Sequence, residues 1–89
     1  MGKIILAVLG AFFCFSASAG PECTKEPQQK WKNQKAFEQT LKDQGYKIKK
    51  FKVTDSNCYE IYGWDKSGKP VEIYFNPVDG QIVKEERKK

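Results

Sequence analysis

Apolar residues change their spacing along this chain, and each change marks an expected element. From Ile4 to Phe15 every residue is apolar or glycine, with Lys3 before the run and Ser16-Ala17-Ser18-Ala19 after it. A positive charge, a short apolar stretch and small residues at the −3 and −1 positions form a secretory signal, cleaved after Ala19. The run is too short to cross a bilayer comfortably, although a retained anchor is the competing reading. Cys14 leaves with the peptide. Gly20 to Lys30 is polar, with Pro21 and Pro27, and offers only Cys23 for burial. It reads as an extended arm. Asn33 then caps a helix running to about Gln44, with Ala36, Phe37 and Leu41 on a narrow apolar stripe and Trp31 at its start. Gly45 stands where a left-handed residue ends a helix. Such a short helix is marginal alone and must pack on something.

Beyond Gly45 the period falls to two, broken by Asp65-Lys66-Ser67-Gly68-Lys69 and by Asn76-Pro77-Val78-Asp79-Gly80. A three-residue loop at Lys66-Ser67-Gly68 pairs Tyr59 with Phe75, Ile61 with Ile73 and Gly63 with Val71. Every aliphatic side chain then falls on one face, whereas a two-residue loop mixes the faces. The same test with Asp55-Ser56-Asn57 as the loop pairs Val53 with Tyr59 and Phe51 with Ile61, and sets Lys52 against Glu60 as a favourable charge pair. Tyr46 and Ile48 are out of phase with Phe51 and Val53, which predicts a bulge or bend near Lys49-Lys50. A loop at Val78-Asp79-Gly80 places Val83 opposite Phe75 and Lys84 opposite Tyr74. The expected fold is α+β, one N-terminal helix packed on a four-stranded antiparallel β-meander in two layers. Phe37 and Leu41 cover a sheet face of Phe51, Val53, Tyr59, Ile61, Val71, Ile73, Phe75 and Val83. Residues 1–19 are the signal, 20–30 the arm, 31–86 the domain and 87–89 a basic tail.

Composition narrows the chemistry. The 89 residues include no histidine, which removes histidine-based acid–base catalysis and imidazole metal ligands. The two cysteines left after processing, Cys23 and Cys58, are an even count in a small exported domain and read as a structural disulfide. Closing so long a loop is worth about 4 kcal/mol in the chain-entropy model. Without histidine or a CxxC motif the pair makes a poor zinc site. Sixteen basic against 11 acidic residues give a net charge of +5. The positive charge gathers in residues 20–52 and at Arg87-Lys88-Lys89, and residues 53–86 are acidic. A solvated, dipolar surface accounts for this, and so does attraction to an acidic protein or an anionic envelope surface. Export makes nucleic acid an unsuitable partner.

Several motifs follow one another at a set spacing: Cys23-Thr24-Lys25-Glu26-Pro27 with Trp31, then Leu41-Lys42-Asp43-Gln44-Gly45-Tyr46. Cys58-Tyr59-Glu60-Ile61-Tyr62, Asp65-Lys66-Ser67-Gly68-Lys69 and the run from Val71 to Gly80 continue them. In these motifs the chain resembles the PepSY domains of peptidase propeptides and small exported bacterial proteins. The family favours an Asp-Pro-x-Thr-Gly-like turn where this chain has Asn76 and Asp79. The resemblance implies a helix on an antiparallel sheet and a binding or inhibitory role towards proteases, with no catalytic residue carried over.

Strand parity puts Tyr62, Trp64 and Tyr74 on the helix-free face among Glu60, Glu72, Lys52 and Lys84. That group reads as a recognition patch, Tyr and Trp being favoured at interface hot spots. It reads equally as strand-forming aromatics stacked across the sheet or covered by the arm, since Cys58 shares their face and draws residues 20–30 towards it. The lysine-rich strand Lys47–Lys52 is either an edge for β-addition or a guard against it. Glu60 and Glu72 are expected on an open surface without a cleft, which does not suit acid–base catalysis. Asp65 and Asp79 occupy turn positions where their side chains bond the backbone. The expected function is a periplasmic or secreted binding module. It is non-enzymatic, without cofactor or metal, monomeric, and directed at a protein partner such as a peptidase. A small-ligand or anion sensor is the alternative.

Overall fold

The structure, a computed structural model, describes residues 20–87. The expected signal with its Cys14 and the last two lysines therefore lie outside the described residues. Helix α1 spans Gln34–Asp43. Asn33 begins it because its side-chain oxygen accepts from the Ala36 N–H at 2.9 Å, satisfying one of the donors a helix N-terminus leaves free. Gly45, at φ +103°, ends it by taking the left-handed turn that a side chain resists. Four strands follow, β1 (Lys47–Val53), β2 (Tyr59–Trp64), β3 (Pro70–Phe75) and β4 (Ile82–Arg87). They form one antiparallel sheet in chain order.

The central pairing agrees with the side-chain argument. Tyr59 opposes Phe75, Ile61 opposes Ile73 and Gly63 opposes Val71. On the other side Val53 opposes Tyr59 and Phe51 opposes Ile61, and the register slips between Ile48 and Lys50 where the bulge was expected. Phe37 and Leu41 of α1 close over Tyr59, Ile61, Val71, Ile73 and Phe75, all buried. Each such side chain contributes about 1.5–3 kcal/mol on burial. Tyr59 lies at the centre, in ring contact with Trp31, Phe37 and Phe51 at 5.6, 5.6 and 5.2 Å. Its hydroxyl donates to the Lys32 carbonyl at 2.5 Å, so the residue that fills the core also fixes the chain leading into the helix.

Three expectations are corrected. Val83 does not oppose Phe75, because a second register shift between Tyr74 and Phe75 brings Ile82 there instead. Val83 is 42% exposed and Ile82 47%, since β4 is an edge strand and the helix does not reach over it. Arg87 belongs to β4 and not to a tail, and it pairs with Asp65 and Glu85. The arm is not extended throughout, for Gln28–Lys30 make one 3₁₀ turn.

Gly63 marks the tightest approach in the sheet. A Cβ there would stand 1.9 Å from the Lys47 carbonyl oxygen, a backbone atom that cannot swing aside. Gly63→Ala should therefore force β1 away from β2 and lower stability by about 1–3 kcal/mol, as overpacking does. Urea unfolding of the two proteins measures it, and equal midpoints would show that β1 adapts at no cost.

Candidate functional site

The helix-free face is assembled by parity. Lys52 faces Glu60, Tyr62 faces Glu72 and Tyr74 faces Lys84, and all alternate with the core positions. The five residues expected to form a patch, Tyr62, Trp64, Tyr74, Lys52 and Lys84, thus share this face. They do not share an environment. Tyr62 and Tyr74 are half-buried, whereas Lys52 and Lys84 are exposed. Trp64 is 39% exposed and borders an open groove of about 530 Å³ with Gly45, Lys47 and the Asp65–Gly68 turn.

The arm accounts for the division. Cys23 and Cys58 form a disulfide across a sequence separation of 35 residues, which fastens residues 20–24 to one end of the face. The Cys23 N–H donates to the Ser56 carbonyl at 3.1 Å. Asn76 donates to the Cys23 carbonyl at 3.0 Å, and Asn57 to the Thr24 carbonyl at 3.2 Å. The Pro21 carbonyl rests 3.1 Å from Cys58 Sγ, and Gly20 lies against Tyr74. Coverage and openness both occur. The arm lies over the Tyr74 end, and Trp64 at the far end of β2 stays open.

The centre of the face departs from expectation. Glu60 is 2% exposed and lines a recess of about 260 Å³ with Lys52, Tyr62 and Tyr74, so it sits in no open surface. Nor does Lys52 form an ion pair with it among the described residues, although the two strands set them opposite. The lysine head remains in water while flanking rings enclose the carboxyl, and Oε2 accepts no hydrogen bond. Burial, and then the neighbouring Glu72, raise the Glu60 carboxyl above the usual range. The Glu60 carboxyl in turn pushes the Tyr62 phenol up to about 12. Burial comes first in raising Tyr74, whose hydroxyl donates to Glu72 at 2.9 Å. Parity assigns a residue to a face and says nothing of depth, which here comes from the neighbouring side chains of Tyr62 and Tyr74.

At the Trp64 end Asp65 organises the β2–β3 turn as its position implied. It accepts from the Ser67 N–H, the Ser67 hydroxyl and the Lys69 N–H at 2.9, 2.7 and 3.0 Å. Arg87, which sequence reasoning left in the tail, adds a charged donor. Asp79 acts likewise towards the Gln81 N–H at 2.9 Å. Among the described residues no cluster of three or more histidine, cysteine or acidic side chains is placed to hold a metal. None of their helices is long and apolar enough to cross a membrane.

Residues 3–86 match the family model described as the peptidase propeptide and YPEB domain, a PepSY model. The chain belongs to the PepSY family. Comparison with curated proteins and with solved structures returned no match. The PepSY match spans the helix, nearly all of the sheet and both bridged cysteines, and it extends upstream to residue 3.

Asp65 supplies a pH test. Hydrogen bonds from Ser67 and Lys69 hold its carboxyl well below the usual carboxylate range, with Arg87 adding to them. An acid depressed in the folded state stabilises above its unfolded value near 3.9, and that contribution disappears as pH falls through the folded value. Asp65→Asn should lower the melting temperature at pH 6, and the gap to wild type should narrow as the pH drops below about 4. A gap independent of pH would mean that turn geometry, not the charge, provides the stability.

Proposed function

We propose that this PepSY chain is an exported, non-catalytic binding module that modulates a peptidase or another envelope protein through its helix-free sheet face. The open Trp64 end carries the reading. An indole beside a groove, with Tyr62 next along the strand and Lys47 close by, offers the aromatic anchor and polar rim that protein interfaces use. Membership of a family described by peptidase propeptides supports a peptidase as the partner class. The absence of histidine from the whole chain supports a role other than catalysis. Export after removal of residues 1–19 is consistent with the disulfide. A sensor for small anions is less well supported, because carboxyl groups occupy the centre of the same face.

The test is capture from a periplasmic extract by the processed protein and by Trp64→Ala, followed by an assay of any captured peptidase. Trp64→Ala should weaken capture at least tenfold, about 1.4 kcal/mol, while leaving the melting temperature nearly unchanged. The same partners captured equally well by both proteins would remove this face from the function.

A further inference from the structure

The end of the sheet that carries Trp64 is basic and holds little to neutralise it. Lys47 faces Trp64 across the β1–β2 ladder, and Lys66 lines the same groove of about 530 Å³. A second groove, of about 480 Å³, shares Asp65, Lys66 and Ser67 with the first and continues to Tyr46 and Arg87. Among the described residues, Asp65 is the one acidic side chain that lines either groove. It is already committed. One of its oxygens accepts from the Ser67 N–H, the Ser67 hydroxyl and the Lys69 N–H, and the other meets Arg87. Arg87 is shared in turn with Glu85. Lys47, Lys66 and Lys69 are exposed and enter no ion pair among the described residues.

The backbone fixes this arrangement. Gly45 ends α1 directly against the β2–β3 turn, where a Cβ would stand 2.7 Å from Lys66 Cβ, so the stem of Lys66 rests on the helix end. That end contributes roughly half a negative charge, which steadies the lysines without cancelling them. Exposed lysines alone are content in water. What singles out this group is the indole set among them in a concave surface. A small inorganic anion would satisfy the lysines and leave Trp64 unused. A bilayer calls for a projecting apolar face, whereas Trp64 borders a groove whose other walls are charged or polar. An extended peptide uses both features, because its side chains alternate and can offer carboxylates on either side of an apolar group.

We propose that the paired grooves at the Trp64 end bind an acidic peptide segment of a partner protein, with an apolar side chain on the indole and carboxylates on Lys47, Lys66 and Lys69. This assignment rests on the reading of the Trp64 end as the binding surface and adds the chemistry of what it binds. The lysines supply attraction at a distance and select against basic segments, and the indole supplies the grip. Because the lysines are exposed, the attraction is screened by salt, its reach falling from about 10 Å at 0.1 M to about 3 Å at 1 M.

The test titrates the purified, disulfide-bonded protein with a fluorescein-labelled Glu-Glu-Phe-Glu-Glu peptide and with Gln-Gln-Phe-Gln-Gln, followed by fluorescence anisotropy. The acidic peptide should bind about tenfold more tightly or better, and the difference should vanish in about 1 M salt. Lys47→Glu with Lys66→Glu should weaken the acidic peptide about tenfold without moving the melting temperature. Lys30→Glu with Lys35→Glu makes the same change in net charge just before and at the start of α1, about 15 Å from Gly45 at the helical rise, and should leave binding unchanged. Equal affinity for the two peptides overturns the proposal. So do equal losses in the two double variants, since net charge alone would then be acting. Sedimentation with phosphatidylglycerol vesicles, abolished by Lys47→Glu with Lys66→Glu and unaccompanied by peptide binding, would assign the same end to a membrane and overturn it too. In the capture experiment, loss of the partner with Trp64→Ala but not with the lysine pair would overturn the acidic chemistry and leave the Trp64 surface standing. Capture indifferent to Trp64→Ala sinks that surface and this proposal with it.

Discussion

Ile61 and Ile73, directly opposed and fully buried, set the phase on which every other placement depends. With a side-chain period of two, a slip of β2 by one residue would carry Ile61 into water and turn Glu60 into the core. The penalty for burying that carboxyl among Phe37, Leu41 and Phe75 would far exceed any turn preference. One pairing thus decides which layer the helix covers and which face meets the arm. Tyr59 consolidates the choice by joining helix approach, β1 and β2 through ring contacts and one hydrogen bond.

The two faces are built on different physical terms. The helical side is dry and aromatic, held by non-directional burial. The reverse side depends on a covalent bridge and on a few hydrogen bonds between the arm and the two turns that flank it. Its inner end is acidic, enclosed and occupied by the arm, while its outer end is open and carries Trp64.

Much of this was legible in the sequence because strand alternation is a strong constraint. The β2–β3 and β1–β2 registers, the irregularity between Ile48 and Lys50, the Asn33 cap and the Gly45 stop all follow from residue type and spacing. Two things did not. Val83 was placed in the core because a regular ladder was continued past Phe75, whereas an edge strand tolerates a slip that no packing opposes. The enclosure of Glu60 was invisible because it depends on how Tyr62 and Tyr74 lie beside it, which alternation does not set. Similarly, the contact of Arg87 with Asp65 joins two ends of the domain that no local pattern links.

The free margin of β1 has a consequence for how molecules of this protein meet one another. Among the described residues no strand pairs with its outer side, and Lys47, Lys49, Lys50 and Lys52 crowd along it. Two copies aligning margin to margin would bring ammonium rows together, and the repulsion reaches about 8 Å at physiological ionic strength but only about 3 Å at 1 M. Colloidal behaviour is therefore governed by the electrolyte, with dilute buffer keeping the molecules apart and brine removing that protection.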